Sequence, residues 1–150
     1  MSEEIDSVDL KLLRVLSLNA RAPLRELGRE VGLSVSGVKR RLDKLRRKGV
    51  IKGYTIVVDP KKYGWAVVAF VRVEVDSKSM RELVSKLERK REVCEVHKIA
   101  GGDSLLLKVR AKSVDDLNRF IEVNLASQDG VRNVTTLISM ETFKEIQATV

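Results

Sequence analysis

Apolar positions recur at helical intervals over roughly the first third of the chain and then alternate between strand-like and helix-like runs. From Asp6 to Leu18, the residues Leu10, Leu13, Val15 and Leu16 form a mostly helical stripe behind an aspartate suited to capping. Pro23 suits the start of a second helix, in which Leu24, Leu27 and Val31 share one face and Gly32 ends the run. Ser34 is placed to cap a third. There Val35, Val38, Leu42 and Leu45 predict an inward stripe, and Gly49 stops it. Gly32-Leu33-Ser34 is just long enough to reverse the chain, with a glycine free to turn left-handed. The pattern is helix, tight turn, helix.

Val50 to Asp59 is β-prone, and Pro60 and Gly64 mark a break, which predicts a linker strand over residues 54–64. Trp65 to Asp76 reads as a strand that is apolar on both faces at first and alternates at its end. Ser79-Met80-Arg81-Glu82 has the form of a capping box, followed by Leu83, Val84 and Leu87 on one helical face. Two further strands, Val93 to Ala100 and Leu105 to Ala111, flank the hairpin signal Gly101-Gly102-Asp103. Ser113 and Asp116 cap a helix carrying Leu117, Phe120, Ile121 and Leu125, and Val131 to Phe143 supplies a last strand. The order β-α-β-β-α-β predicts an α+β, ferredoxin-like domain with both helices on one face of an antiparallel sheet. The other sheet face needs cover, and a second copy of the chain would supply it. The expected organisation is a helix-turn-helix domain over residues 1–53, the linker strand over 54–64, and the ferredoxin-like domain over 65–150.

Charge sharpens this picture. The net charge is +8, and residues 34–62 carry 10 basic and 2 acidic side chains while the segments on either side are nearly neutral. So local an excess fits a phosphate-binding surface; the competing reading is a solvated basic helix face. Cys94 is the only cysteine and His97 the only histidine, which excludes an intramolecular disulfide and a zinc finger. No cofactor is expected. Cys94 reads as a small apolar filler, His97 as a half-buried strand residue, and Trp65 as an anchor where the linker meets the second core. The opening MSEEIDSVDLK lacks a secretion-signal pattern, and the longest apolar stretch, Trp65 to Val71, is too short to span a bilayer. The expectation is a soluble, cytoplasmic protein without a membrane partner.

On the third helix, at about 100° per residue, Ser36, Arg40, Asp43 and Arg47 oppose the apolar stripe, flanked by Gly37, Lys39 and Lys44. The N-terminal part of such a recognition helix enters the major groove of double-stranded DNA, which favours Ser36, Gly37, Lys39 and Arg40 as base-edge readers. Gly37 permits close backbone approach at a cost in helix propensity. Arg40 reaches guanine bidentately or holds a phosphate. Ser34 caps, and the positive helix end it marks faces a phosphate. Arg41, nearer the core edge, is either structural or phosphate-binding. Lys44, Arg47, Lys48 and Lys52 are assigned to phosphates, against a solvated face.

The run from Leu24 to Tyr54, LRELGREVGLSVSGVKRRLDKLRRKGVIKGY, resembles the head of the leucine-responsive regulator/AsnC (feast/famine) family of prokaryotic transcriptional regulators, and Asp6 and Asp9 match the family's opening. Gly101-Gly102-Asp103 before Leu105 to Leu107 is similar to the glycine-aspartate turn of the family's second domain. The resemblance implies a dimer assembling to a higher oligomer, such as an octamer, that binds DNA and is modulated by an amino acid or similar effector held between subunits. By position it implies effector contacts at Gly101, Gly102, Asp103, Thr135 and Thr136. Three positions depart from the family. Gly28 replaces the usual alanine and should weaken its helix by ~1 kcal/mol unless close packing needs it. Arg46 replaces an acidic residue, and Val134 a polar one near the effector site. Two other functions remain open: an effector-independent architectural DNA binder, and an enzyme similar to siroheme decarboxylases, which a chain with one histidine is poorly equipped to be. A non-enzymatic regulator is the expectation.

Overall fold

The computed structural model describes residues 5–146 and Val150. Residues 1–4 and 147–149, at the outer ends of the two predicted domains, lie outside the described residues. The chain divides into two compact units, one reaching to Val57 and taking in the described residues from Glu145 on, the other running from Val58 to Lys144.

The first unit is built from three helices, α1 (Ser7–Leu18), α2 (Leu24–Val31) and α3 (Val35–Arg47). Their common core is Leu12, Leu27, Val38, Leu42 and Leu45, with Leu13, Val15, Leu16, Leu24, Val31, Val50 and Ile51 packed around it. Asp6 caps α1 through a reciprocal box: its side chain accepts from the Asp9 N–H at 2.8 Å, and the Asp9 side chain accepts from the Asp6 N–H at 3.3 Å. Pro23 stands at the cap position of α2, and Gly32 ends that helix at φ 70°, the left-handed conformation the turn requires. Two expectations are corrected: Leu10 is 47% exposed and stands outside the stripe of α1, and Val35 is 47% exposed and does not join that of α3. It occupies the first helical position beside the turn, where Leu33 covers the core instead.

The second unit is a four-stranded antiparallel sheet in the order β2-β3-β1-β4, with β1 Val67–Val75, β2 Val93–Ile99, β3 Ser104–Ala111 and β4 Val131–Ser139. Helices α4 (Ser77–Leu87) and α5 (Val114–Ile121) cover one face. The order is that of the predicted ferredoxin-like arrangement. Side chains alternate along each strand, so Ala69, Val71, Val73, Val75, Leu105, Leu107 and Val109 meet Met80, Leu83, Leu87, Leu117, Phe120 and Leu125 in one core. The opposite face keeps Phe70, Leu137, Leu106 and Thr135 beside Arg72, Lys108, Glu95 and His97.

Several local expectations change. Residues 54–59 pair with none of the described strands, and a 3-10 helix, Pro60–Tyr63, follows, so the expected linker strand has no sheet partner among the described residues. Helix α4 starts two residues before the predicted cap. β1 ends at Val75, the Asp76 N–H is tied to the Gly130 carbonyl at 2.8 Å, and the Asp76 carbonyl already accepts from Ser79 and Met80. Glu82 pairs with Lys86 instead of capping. After α5 the chain continues as a π-helical turn, Glu122–Ala126, which brings Leu125 into the core. β4 stops at Ser139 and not at Phe143. Cys94 is exposed rather than a core filler: it lies on the edge strand β2 where the register shifts between Val93 and Glu95, so it is unpaired in the ladder. His97 is exposed too, and its Nε2 lies 3.0 Å from a Glu95 carboxylate oxygen. Trp65 is half-buried, with the Arg91 guanidinium 5.8 Å from its ring centre.

Candidate nucleic-acid interface and effector turn

The geometry of the head follows from its turn. The Leu33 N–H donates to the Gly28 carbonyl at 2.9 Å, and the Leu33 carbonyl folds back so closely that a Cβ on Gly28 would stand 2.5 Å from it. Gly28, a poor helix former, is therefore the residue that lets α2 and the turn touch, which answers its departure from the family pattern. Ser34 then caps α3: its Oγ accepts from the Gly37 N–H at 3.1 Å and lies 3.0 Å from the Ser36 Oγ. Its hydroxyl is spent as the sequence suggests, and Ser36 is partly occupied by it.

From this start α3 presents Ser36, Lys39, Arg40 and Arg47 to solvent, with Gly37 half-exposed between them, and Lys48 and Lys52 exposed beyond the helix. Lys44 is half-buried. The C-terminal half of α3 is flanked by two open hollows. One, of about 370 Å³, is lined by Asp6, Arg40, Arg41, Lys44 and Arg47; the other, of about 420 Å³, by Asp43, Arg46, Arg47, Ile51 and Lys52. Both are walled mainly by cations, as a surface that tracks phosphates requires. Arg46 joins this surface although the residue pattern alone did not select it. The signal was its place in the basic run.

Arg41 resolves differently from its neighbours. Its Nη1 donates to Asp6 Oδ2 at 2.6 Å and to Asp9 Oδ1 at 2.8 Å. The hydrogen bonds to Asp6 and then to Asp9 raise the guanidinium's pKa, and the bond from Arg41 holds the Asp6 carboxyl below the usual carboxylate range. Asp9 is fully buried. Its pairing with a residue 32 positions away left no local sequence signal.

In the second unit, Gly101 and Gly102 adopt φ 98° and 123°, and Asp103 ties the turn to its surroundings. The Asp103 carbonyl accepts from the Val75 N–H at 3.0 Å, and its carboxylate accepts from the Ser77 hydroxyl at 2.5 Å. Ser77, at the start of α4, is a turn partner that sequence reasoning missed because it lies 26 residues away. Thr135 pairs with Arg72 and Thr136 with Val71 on the same strand β1. Adjacent strand residues point to opposite faces, so Thr135 stands on the open face and Thr136 on the helix-covered face. Val134 pairs with Val73 and packs against the core.

A three-helix head with an outward basic recognition helix, joined to a ferredoxin-like sheet with a glycine-aspartate turn, defines a two-part helix-turn-helix protein. Comparison with known proteins gives the same division. Residues 5–52 match the model of a winged helix-turn-helix DNA-binding domain, and residues 68–149 match the Lrp/AsnC ligand binding domain. The chain is 34% identical over 145 residues to the HTH-type transcriptional regulator FL11 of Pyrococcus horikoshii, covering 97% of this chain and 95% of that one. Among solved structures, E. coli AsnC superposes with a TM-score of 0.86 at 30% identity, covering 98% of both chains. The feast or famine regulatory protein Rv3291c of M. tuberculosis, complexed with L-methionine, superposes with a TM-score of 0.89 at 31% identity, covering 97% of this chain and 99% of that one. The chain belongs to the Lrp/AsnC family of HTH-type transcriptional regulators.

Proposed function

We propose that this regulator acts in the cytoplasm as a symmetric dimer, or a higher assembly of dimers, that sets two α3 helices into successive major grooves of a DNA site. The carrying observation is the outward face of α3, where Lys39, Arg40 and Arg47 stand in solvent around a backbone opened by Gly37. Ser36, Gly37, Lys39 and Arg40, nearest the helix N-terminus, are assigned to base edges; Ser34, Lys44, Arg47, Lys48 and Lys52 to phosphates. Arg46, on the same surface, is added to the phosphate set. The open sheet face supports the dimer: Phe70, Leu106 and Leu137 are apolar groups on a surface that a second copy would shield.

An amino acid is the proposed effector, held near Gly101, Gly102 and Asp103 with Thr135 and Thr136 on the edge strand β4. Its support is the L-methionine in the complex of the M. tuberculosis relative and the ordered turn here, where Asp103 is fixed by Ser77. An effector-independent architectural binder remains the second reading, favoured by the bond that already occupies Asp103. The relatives' names as transcriptional regulators favour no enzyme.

Fluorescence anisotropy on a selected site and on random duplex, over a salt series, tests the DNA reading. A steep fall of log affinity with log salt and a strong preference for the selected site are expected, because each neutralised phosphate releases counterions. A nearly flat salt response would contradict DNA binding, and equal affinity for both duplexes would leave the architectural binder. Repeating the series with free amino acids tests the effector.

A further inference from the structure

Arg41 sits in the middle of the most basic stretch of the chain, on the helix proposed to read DNA, yet its charge is turned toward its own protein. A single guanidinium nitrogen, Nη1, serves two carboxylates on the first turn of α1. All four carboxylate oxygens of the pair are thereby occupied: Asp6 Oδ1 by the Asp9 N–H, Asp9 Oδ2 by the Asp6 N–H, and the remaining two by Arg41. We propose that Arg41 is a positioning residue of the DNA-reading head and not a phosphate contact: it locks α3 to the N-terminus of α1 and so sets the pose in which the recognition helix meets the duplex.

The physical case rests on what Arg41 would leave behind. Asp9 is fully buried, and a buried carboxylate deprived of its cation loses far more than an exposed pair would. To reach a phosphate, Arg41 would uncover that anion beside a second anion. The neighbours carry no such obligation: Arg40 and Arg47 are exposed on the same hollow, and among the described residues no carboxylate is paired with either. The hollow also shows a second role. Asp6 is part of its wall, and Arg41 masks this carboxylate at the edge of a surface that must accept phosphate. Positioning and masking both require Arg41 to stay where it is when DNA binds.

The proposal rests on the DNA reading above, and the two fail separately. Affinity for duplex is measured over a salt series for the full chain and for Asp6→Asn, Arg41→Gln, Arg41→Lys and Arg47→Gln, with thermal unfolding followed in parallel. Asn is as good a helix cap as Asp, so Asp6→Asn keeps α1 capped while removing one of the two anions that hold Arg41, the exposed one. A released phosphate-binding arginine and one fewer negative charge would make Asp6→Asn bind more tightly; a lost clamp makes it bind less tightly. The expected result is a fall of roughly tenfold for Asp6→Asn and for Arg41→Gln, the equivalent of one charge-assisted hydrogen bond. Their slope of log affinity against log salt stays that of the wild type, whereas Arg47→Gln, at a residue assigned to phosphate, flattens it by about one. Arg41→Lys, which keeps the positive charge as a compact ammonium, recovers part of the loss. Tighter binding by Asp6→Asn, a flattened slope for Arg41→Gln, or no change in either overturns the proposal. A flat slope in the wild type sinks the DNA reading itself.

Discussion

The carbonyl oxygen of Leu33 lies only 2.5 Å from where a Cβ on residue 28 would stand, so the contact between α2 and the turn exists only because residue 28 is glycine. The cost in helix propensity expected at Gly28 is thus offset by a close approach of backbone to side-chain space. Gly28→Val should destabilise the head by about 1–3 kcal/mol through forced displacement of the turn. Gly53, with open space around its Cβ position, is the control, and Gly53→Ala should leave the unfolding temperature nearly unchanged. Thermal unfolding by circular dichroism measures both.

Acid should act on the head through Asp6. Its carboxyl is held below its ordinary pKa, chiefly by the hydrogen bond from Arg41, so it binds protons less readily folded than unfolded. A depressed folded pKa means that this contribution is present above the unfolded value, about 4, and is lost as pH falls through the folded one. Stability of the wild type should therefore decline below about pH 4 more steeply than that of Asp6→Asn. Chemical denaturation at a series of pH values between neutral and strongly acidic reads the difference; parallel declines would contradict it.

On the open sheet face, Phe70 stands between Lys108 on one side and Leu137 on the other. If a second copy covers this face, Phe70→Glu places a charge in a desolvated contact and should shift the protein toward monomer. Sedimentation velocity on the full chain is the measurement. Phe70 is 38% exposed in the single chain, so the monomer's fold should tolerate the change and its circular dichroism should be kept.

For the turn, Asp103→Ala removes the acceptor of the Ser77 hydroxyl and frees the two glycines before it. The concentration of amino acid that alters DNA binding should rise at least several-fold, with the ligand-free affinity as the reference. Ser77→Ala is the sharper comparison. It leaves Asp103 in place and asks whether the turn must be held by α4; an unchanged response would assign the bond to stability alone.

Much of the fold was legible because it depends on local periodicity. The helices α1 to α3, the caps Asp6, Ser34 and Ser113, and the alternation along β1 and β3 follow from spacing within a turn or a strand. The boundaries moved where distant backbone decided them, as when Gly130 fixed Asp76 and brought α4 forward. On the candidate interface, charge density located the surface, since net charge adds along a sequence without regard to folding.

The sequence by itself determined the order of elements, the capped helix-turn-helix and the place of the excess charge, because these rest on intervals of a few residues. Tertiary structure alone decided which charges face outward. Arg40 and Arg41 are neighbours of one chemistry, and only the arrival of Asp6 and Asp9 from α1 separates a cation open to solvent from one bound to its own protein. It also parted Thr135 from Thr136, placed a carbonyl against Gly28, and left Val35 outside the core. Pairings over tens of residues depend on how helices and strands pack, and no periodicity along the chain encodes them.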